Sequence, residues 1–316
     1  MKVNIIQLGV LFLLGFSHLS NANDQVEKKK VSAQSTSSVD ESDQLITNRR
    51  YRARTGSLSN FSLASTLIYR GGSLTEPLSA NRPNIAGRAD TASVARLNVN
   101  LQGTYRLNAL NRINAGIGVQ TLAPFQSSID TESADAQREF DQNQGTVDVF
   151  DPFISYRHMN KFLGVQTVFT AGLTQFTAGN MRDNGYQNEV WLVLDTLYDF
   201  GETGLSFGTR IAFSQFFYDK DDQELLSRQL DQVVRIEPQL EYEINDTFNL
   251  RTVFRTFAYQ NNNADGAMQR RASTQDIGIG ISVTRDIFLF PNLQFSYDDL
   301  SIENTNVGFV ANINMF

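Results

Sequence analysis

Cysteine is absent from this 316-residue chain. Its absence removes disulfides, thiolate metal sites and lipid attachment through sulfur. Histidine is nearly absent too, with His18 and His158 the only two. Most hydrolytic chemistry uses histidine as a base, so catalysis has little to work with. An excess of basic charge is also missing: 27 Lys and Arg stand against 34 Asp and Glu, a formal net charge of −7. A nucleic-acid partner normally needs a basic patch, and none is expected here. No stretch reaches the roughly 18 apolar residues of a membrane-spanning helix. Gly-rich phosphate loops are missing as well, and no cofactor is expected.

The chain opens with "MKVNIIQLGVLFLLGFSHLSNAND". Lys2 supplies a positive start, Ile5 to Phe16 an apolar run, and Ser20-Asn21-Ala22 small residues at a cleavage site. This is the layout of a secretory signal peptide. Residues 1–22 are therefore set apart, and loss of Lys2 takes the net charge from −7 to −8. Residues 23–56 are polar and Ser-rich, and read as a flexible periplasmic N-terminal segment. Within them Arg49, Arg50, Arg52 and Arg54 read as a solvated junction.

What the chain does have is alternation. In "ARLNVNLQGTYRL" (95–107) Leu97, Val99, Leu101 and Tyr105 alternate with Arg96, Asn98, Asn100, Gln102 and Arg106. Successive strand residues point to opposite faces, so this is a two-faced strand. Twelve such segments are expected, at 57–69, 95–107, 112–122, 147–157, 162–174, 189–199, 204–217, 232–244, 248–259, 273–285, 288–298 and 306–316. Each has about ten residues, enough for a tilted strand to cross a bilayer. Phe150 is expected on the apolar face of the fourth, and Pro238 and Pro291 suggest bulges.

The connections alternate in length. Those at 70–92, 123–146, 175–188, 218–231 and 260–272 are long, while those at 108–111, 158–161, 200–203, 245–247 and 286–287 are short. A soluble sandwich has no reason for this regularity. A membrane barrel does, with short periplasmic turns and long outer loops. On the signal peptide, the strands, the loop asymmetry and the terminal Phe316 of "VANINMF", residues 57–316 resemble a bacterial outer-membrane β-barrel protein. The resemblance implies an all-β, antiparallel, up-and-down transmembrane barrel of about 12 strands, in a Gram-negative outer membrane, with both termini periplasmic. It implies contact with outer-membrane lipid and lipopolysaccharide, and recognition of Phe316 by the barrel-assembly machinery. A monomer is the simplest expectation.

In a barrel the polar faces become the interior. Arg96, Asn98, Asn100, Gln102, Arg106, Arg210, Arg235, Glu237, Glu241, Arg251, Arg255 and Asp276 are the expected lumen-lining set. Arg157, Asp151, Glu189 and Asp195 also point inward. A three-residue turn at 245–247 places Glu241 opposite Arg251 and Glu237 opposite Arg255, a carboxylate–guanidinium ladder. The inward charges nearly balance, so weak ion selectivity is expected. His158 reads as a solvated residue of a short turn. Asp219, Asp221, Asp222 and Glu224 crowd one loop as weak metal candidates, but lack the spacing of a calcium loop. No catalytic set is visible. A narrow channel for small polar solutes is the expected function. A closed structural or adhesin-like barrel that binds a partner through its long loops is the alternative, and a carboxylate-dependent hydrolase the third reading.

Overall fold

A computed structural model describes residues 40–85, 92–126, 147–178, 181–182, 184–219, 229–255, 257–262, 267–270 and 272–315. Residues 1–39, among them the expected signal peptide, and Phe316 lie outside these residues. So do Asp221, Asp222 and Glu224.

Two short helices come first, α1 (Glu41–Leu45) and α2 (Arg49–Thr55). The strands follow as β1 (Phe61–Ser73), β2 (Asn81–Pro83), β3 (Ala92–Val94), β4 (Arg96–Arg106), β5 (Asn111–Leu122), β6 (Asp148–Phe162), β7 (Val165–Gln175) and β8 (Tyr186–Asp199). Then come β9 (Leu205–Tyr218), β10 (Leu230–Glu243), β11 (Phe248–Arg255), β12 (Phe257–Asn262), β13 (Gln269–Arg270), β14 (Thr274–Ser282), β15 (Ile287–Ser296) and β16 (Asn306–Asn314).

Every barrel strand pairs antiparallel with its sequence neighbours, and β16 returns to pair with β1, as in Leu67 opposite Ala311. The sheet is therefore closed, and no edge is left unpaired in lipid. β11 and β12 are two halves of one stave, both paired to β10, which makes a closed barrel of twelve strands. β2 and β3 form a small separate ladder in the first long connection.

The strands alternate as the sequence requires. Phe61, Ile113, Ile154, Leu173, Leu192, Tyr242, Leu250 and Ile279 are exposed large apolar residues on the outer face. Their polar neighbours turn inward: Thr104, Asn114, Ser155 and Gln239 are buried. An apolar exterior around a polar interior is the pattern of a barrel solvated by lipid, not by water.

Four expectations are corrected. Residues 40–56 are not a flexible tail: α1 and α2 are ordered against the barrel wall, and Ser42, Arg50, Tyr51 and Ala53 are buried. Their side chains find partners on the inner face, and those partners offset the cost of ordering the segment.

Phe150 faces the lumen, not lipid. The β5–β6 register shifts between Gly116 and Gly118, and Asp151 takes φ +50, so one extra residue flips the phase of the strand end.

His158 lies within β6, not in a turn, with its Nδ1 2.8 Å from Asn111 Oδ1. The turn is one step later at Leu163-Gly164, both at positive φ (49° and 82°), the geometry that matches strand twist in a two-residue hairpin.

Pro291 holds regular register with Phe309 and causes no bulge. Pro238 is regular against Thr209 of β9, but the register on its other side changes by one residue, from Ile236 opposite Phe257 to Gln239 opposite Val253.

Candidate functional site

The site is built where the N-terminal helices meet the inner wall near the short turns. Asp40 caps α1, accepting from Ser42 N at 2.9 Å, and Asn48 caps α2, accepting from Tyr51 N at 3.1 Å. Asx side chains at these positions satisfy otherwise orphaned N–H groups. Gly56, at φ +100°, ends α2 where few other residues could.

Each end of α2 is held by the barrel. At its start, Gln166 Oε1 accepts from the N–H groups of Thr47 (2.8 Å) and Asn48 (3.0 Å). At its end the last carbonyls, which have no partner within the helix, meet wall side chains. Ala53 O accepts from Asn314 Nδ2 at 2.7 Å, Arg54 O from Arg157 Nη1 at 2.7 Å, Thr55 O from Arg112, and Gly56 O from Arg285 Nη1 at 3.2 Å. Three of these donors are guanidinium groups at the negative end of the helix dipole, where cations are favoured. Two apolar clusters complete the dock. Ile46 and Tyr51 pack on Met159, Val168 and Leu197, while Ala53 packs on Phe288 and Phe290.

Two buried carboxylates of the wall hold the helix's own arginines. Glu241 Oε1 accepts from Arg50 Nε (2.8 Å) and Arg251 Nε (3.2 Å), and its Oε2 accepts from Asn48 Nδ2 (2.8 Å). Asp195 lies 3.3 Å from Arg54 Nη2 and 3.5 Å from Arg210 Nη1. At the outer margin Asp40 takes both oxygens to Arg106 Nη2 at 2.7 Å. Burial alone would raise the Asp40 carboxyl, but the hydrogen bonds from Arg106 and Ser42 outweigh it and hold it at about 2.

The helices divide the interior. On the long-loop side lies a cavity of about 830 Å³ with Arg50 and Arg54 among its lining residues. On the short-turn side lies a second of about 300 Å³, bounded by Asn48, Arg49, Asp199, Glu241 and Glu243.

The lining set read from the sequence is distributed between them. Asn100, Gln102, Arg210, Arg235, Glu237, Arg251, Arg255 and Asp276 line the larger cavity. Glu241 lies at the smaller one and under α2. Arg106 clamps Asp40 and Leu58 O instead. Arg96 stands opposite Arg70, and Asn98 opposite Ile68, on the β1–β4 ladder. Glu241 does stand opposite Arg251. Arg255 reaches Glu237 at 3.7 Å, but makes its closer pair with Asp276.

Sequence reasoning missed Arg50, Arg54 and Tyr51 as interior residues. The signal was present in Asp40 and Asn48 as caps, Gly56 as a stop, and the apolar Ile46 and Tyr51. It also missed the charge imbalance: among the described residues the larger cavity is lined by nine arginines and five carboxylates. Of the acidic-loop candidates only Asp219 is described, and among the described residues no group of three or more metal-ligating side chains converges.

No protein-family model matches the chain, and no curated protein sequence matches it. Solved structures do. The outer membrane channel COG4313 from Pseudomonas putida F1 superposes with a TM-score of 0.50 at 11% identity, covering 82% of this chain and 97% of that one. The NanC porin gives 0.42 at 14% identity, covering 80% and 100%. The KdgM porin gives 0.41 at 7% identity, covering 81% and 99%. The fold is that of the outer-membrane, porin-like barrels.

Proposed function

We propose that this protein is a narrow outer-membrane channel for small polar solutes, with α1 and α2 as its periplasmic constriction. One observation carries the reading. A polar, charged cavity of about 830 Å³ lies inside the barrel on one side of the helices, and a second of about 300 Å³ lies on the other. A barrel made only for structure would fill its interior with side chains. The fold shared with an outer membrane channel supports the same reading. In this orientation the short turns, both termini and the plug face the periplasm. The exposed apolar band meets lipid and lipopolysaccharide, and the long loops face outward.

The hydrogen-bonded dock of α2 favours a second reading, in which the plug stays seated and the barrel is closed. Single-channel recording of purified full-length protein in planar bilayers separates the two. Discrete conductance steps support the channel. Their absence in the full-length protein, with steps appearing only when 40–56 are removed, supports the closed form.

A further inference from the structure

Above the two helices, among the described residues, arginines outnumber carboxylates in the lining of the larger cavity. Arg70, near the long-loop end of β1, stands directly opposite Arg96 on β4. Arg235 on β10 and Arg255 on β11, several staves away round the barrel, line the same cavity as Arg70. Arg70 and Arg235 both line the cavity and are exposed to it. Among the described residues, neither guanidinium has a hydrogen-bond or ion-pair partner. Their neighbours differ: Arg255 is paired with Asp276 and Glu237, and Arg210 with Asp195.

From this placement we infer an oxyanion-binding site in the larger cavity, formed by Arg70 and Arg235, which line it from separate staves of the barrel. The chemical class is a small solute bearing a carboxylate or phosphate group. A guanidinium presents planar, paired N–H donors that match either group, and it remains charged at any physiological pH. Inside a low-dielectric wall such a pair attracts anions more strongly than the same residues would on an open surface. The site rests on the channel reading for its role in transport, but not for its existence.

The test is a binding titration of the full-length protein in detergent, with inorganic phosphate and acetate as separate probes, followed by calorimetry. Saturable binding of at least one probe is expected. R70Q and R235Q should each weaken it several-fold, and the double variant at least tenfold. Lys161→Gln, on an exposed residue at the opposite end of the barrel, should leave it unchanged. Which probe binds better tells a phosphate site from a carboxylate site. Absence of saturable binding, or equal binding in the double variant and wild type, overturns the site. Bilayer recordings on the same preparations separate this from the channel reading. Binding without conductance retains the site and removes the channel. Conductance without binding does the reverse.

Discussion

Arg50 Nε donates to Glu241 Oε1 at 2.8 Å, and the two side chains are 4% and 3% exposed. One belongs to the N-terminal helix and the other to β10, 191 residues away. This pair is the electrostatic centre of the dock. Removing one partner of a buried pair leaves an uncompensated charge, at a cost of about 3–5 kcal/mol.

Glu241→Ala is therefore expected to unseat α2, because it strands both Arg50 and Arg251. The stretch "RRYRAR" is a run of trypsin sites that seating protects. Tryptic cleavage within 49–54 should accelerate at least a hundredfold in the variant, while the barrel itself stays folded. An unchanged cleavage rate would show that the pair does not hold the plug.

The Asp40–Arg106 contact has a pH signature. The Asp40 carboxyl is held at about 2 in the folded chain, against an ordinary value of 3.8. A group depressed on folding lends stability that is complete above its unfolded value and is lost as pH falls through its folded one. Amide exchange in α1 should be slow and flat above pH 4, after correction for the intrinsic rate, and should accelerate as pH falls toward 2. Asp40→Asn should remove that pH dependence and exchange faster at pH 7.

Trp191 is the single tryptophan, and its indole lies over Gly172 of the adjacent strand. A Cβ built at 172 would fall 2.2 Å from Trp191 Cζ2, too close for any real contact. Gly172→Ala must push the ring out toward the cavity. The emission maximum should shift to the red in a barrel that still closes, and no shift would mean that the strands yield instead.

Leu163 sits at φ +49° and is 82% exposed. Leucine is strained in this left-handed region, whereas asparagine tolerates it. Leu163→Asn should stabilise the β6–β7 hairpin by roughly 0.5–1 kcal/mol, read as a higher urea midpoint. A lower midpoint would mean that the leucine contributes more through lipid contact than it costs in strain.

The barrel was legible because its physics is local and repeated. Alternation in "ARLNVNLQGTYRL" sets two faces, and loop lengths set the two ends. The register of Glu241 with Arg251 followed from one three-residue turn. What escaped depended on single residues or distant partners. A bulge at Asp151 reversed Phe150, and a hairpin at Leu163-Gly164 moved His158 into a strand. The plug was hidden for a different reason. "TNRRYRARTG" is polar by composition, and its charges look solvated until Glu241 and Asp195, more than 140 residues later, are placed around them. Caps at Asp40 and Asn48 were the readable trace. The cavity's arginine excess was hidden likewise, since Arg50 and Arg54 come from outside the strands.

The most direct measurement is single-channel conductance of the full-length protein beside a form lacking residues 40–56, each recorded in planar bilayers. Small discrete steps are expected from the full-length protein, and steps several-fold larger from the shortened one, with Glu241→Ala between them. No conductance from any of the three, or the same conductance from all, would contradict a polar channel narrowed by its own N-terminal helices.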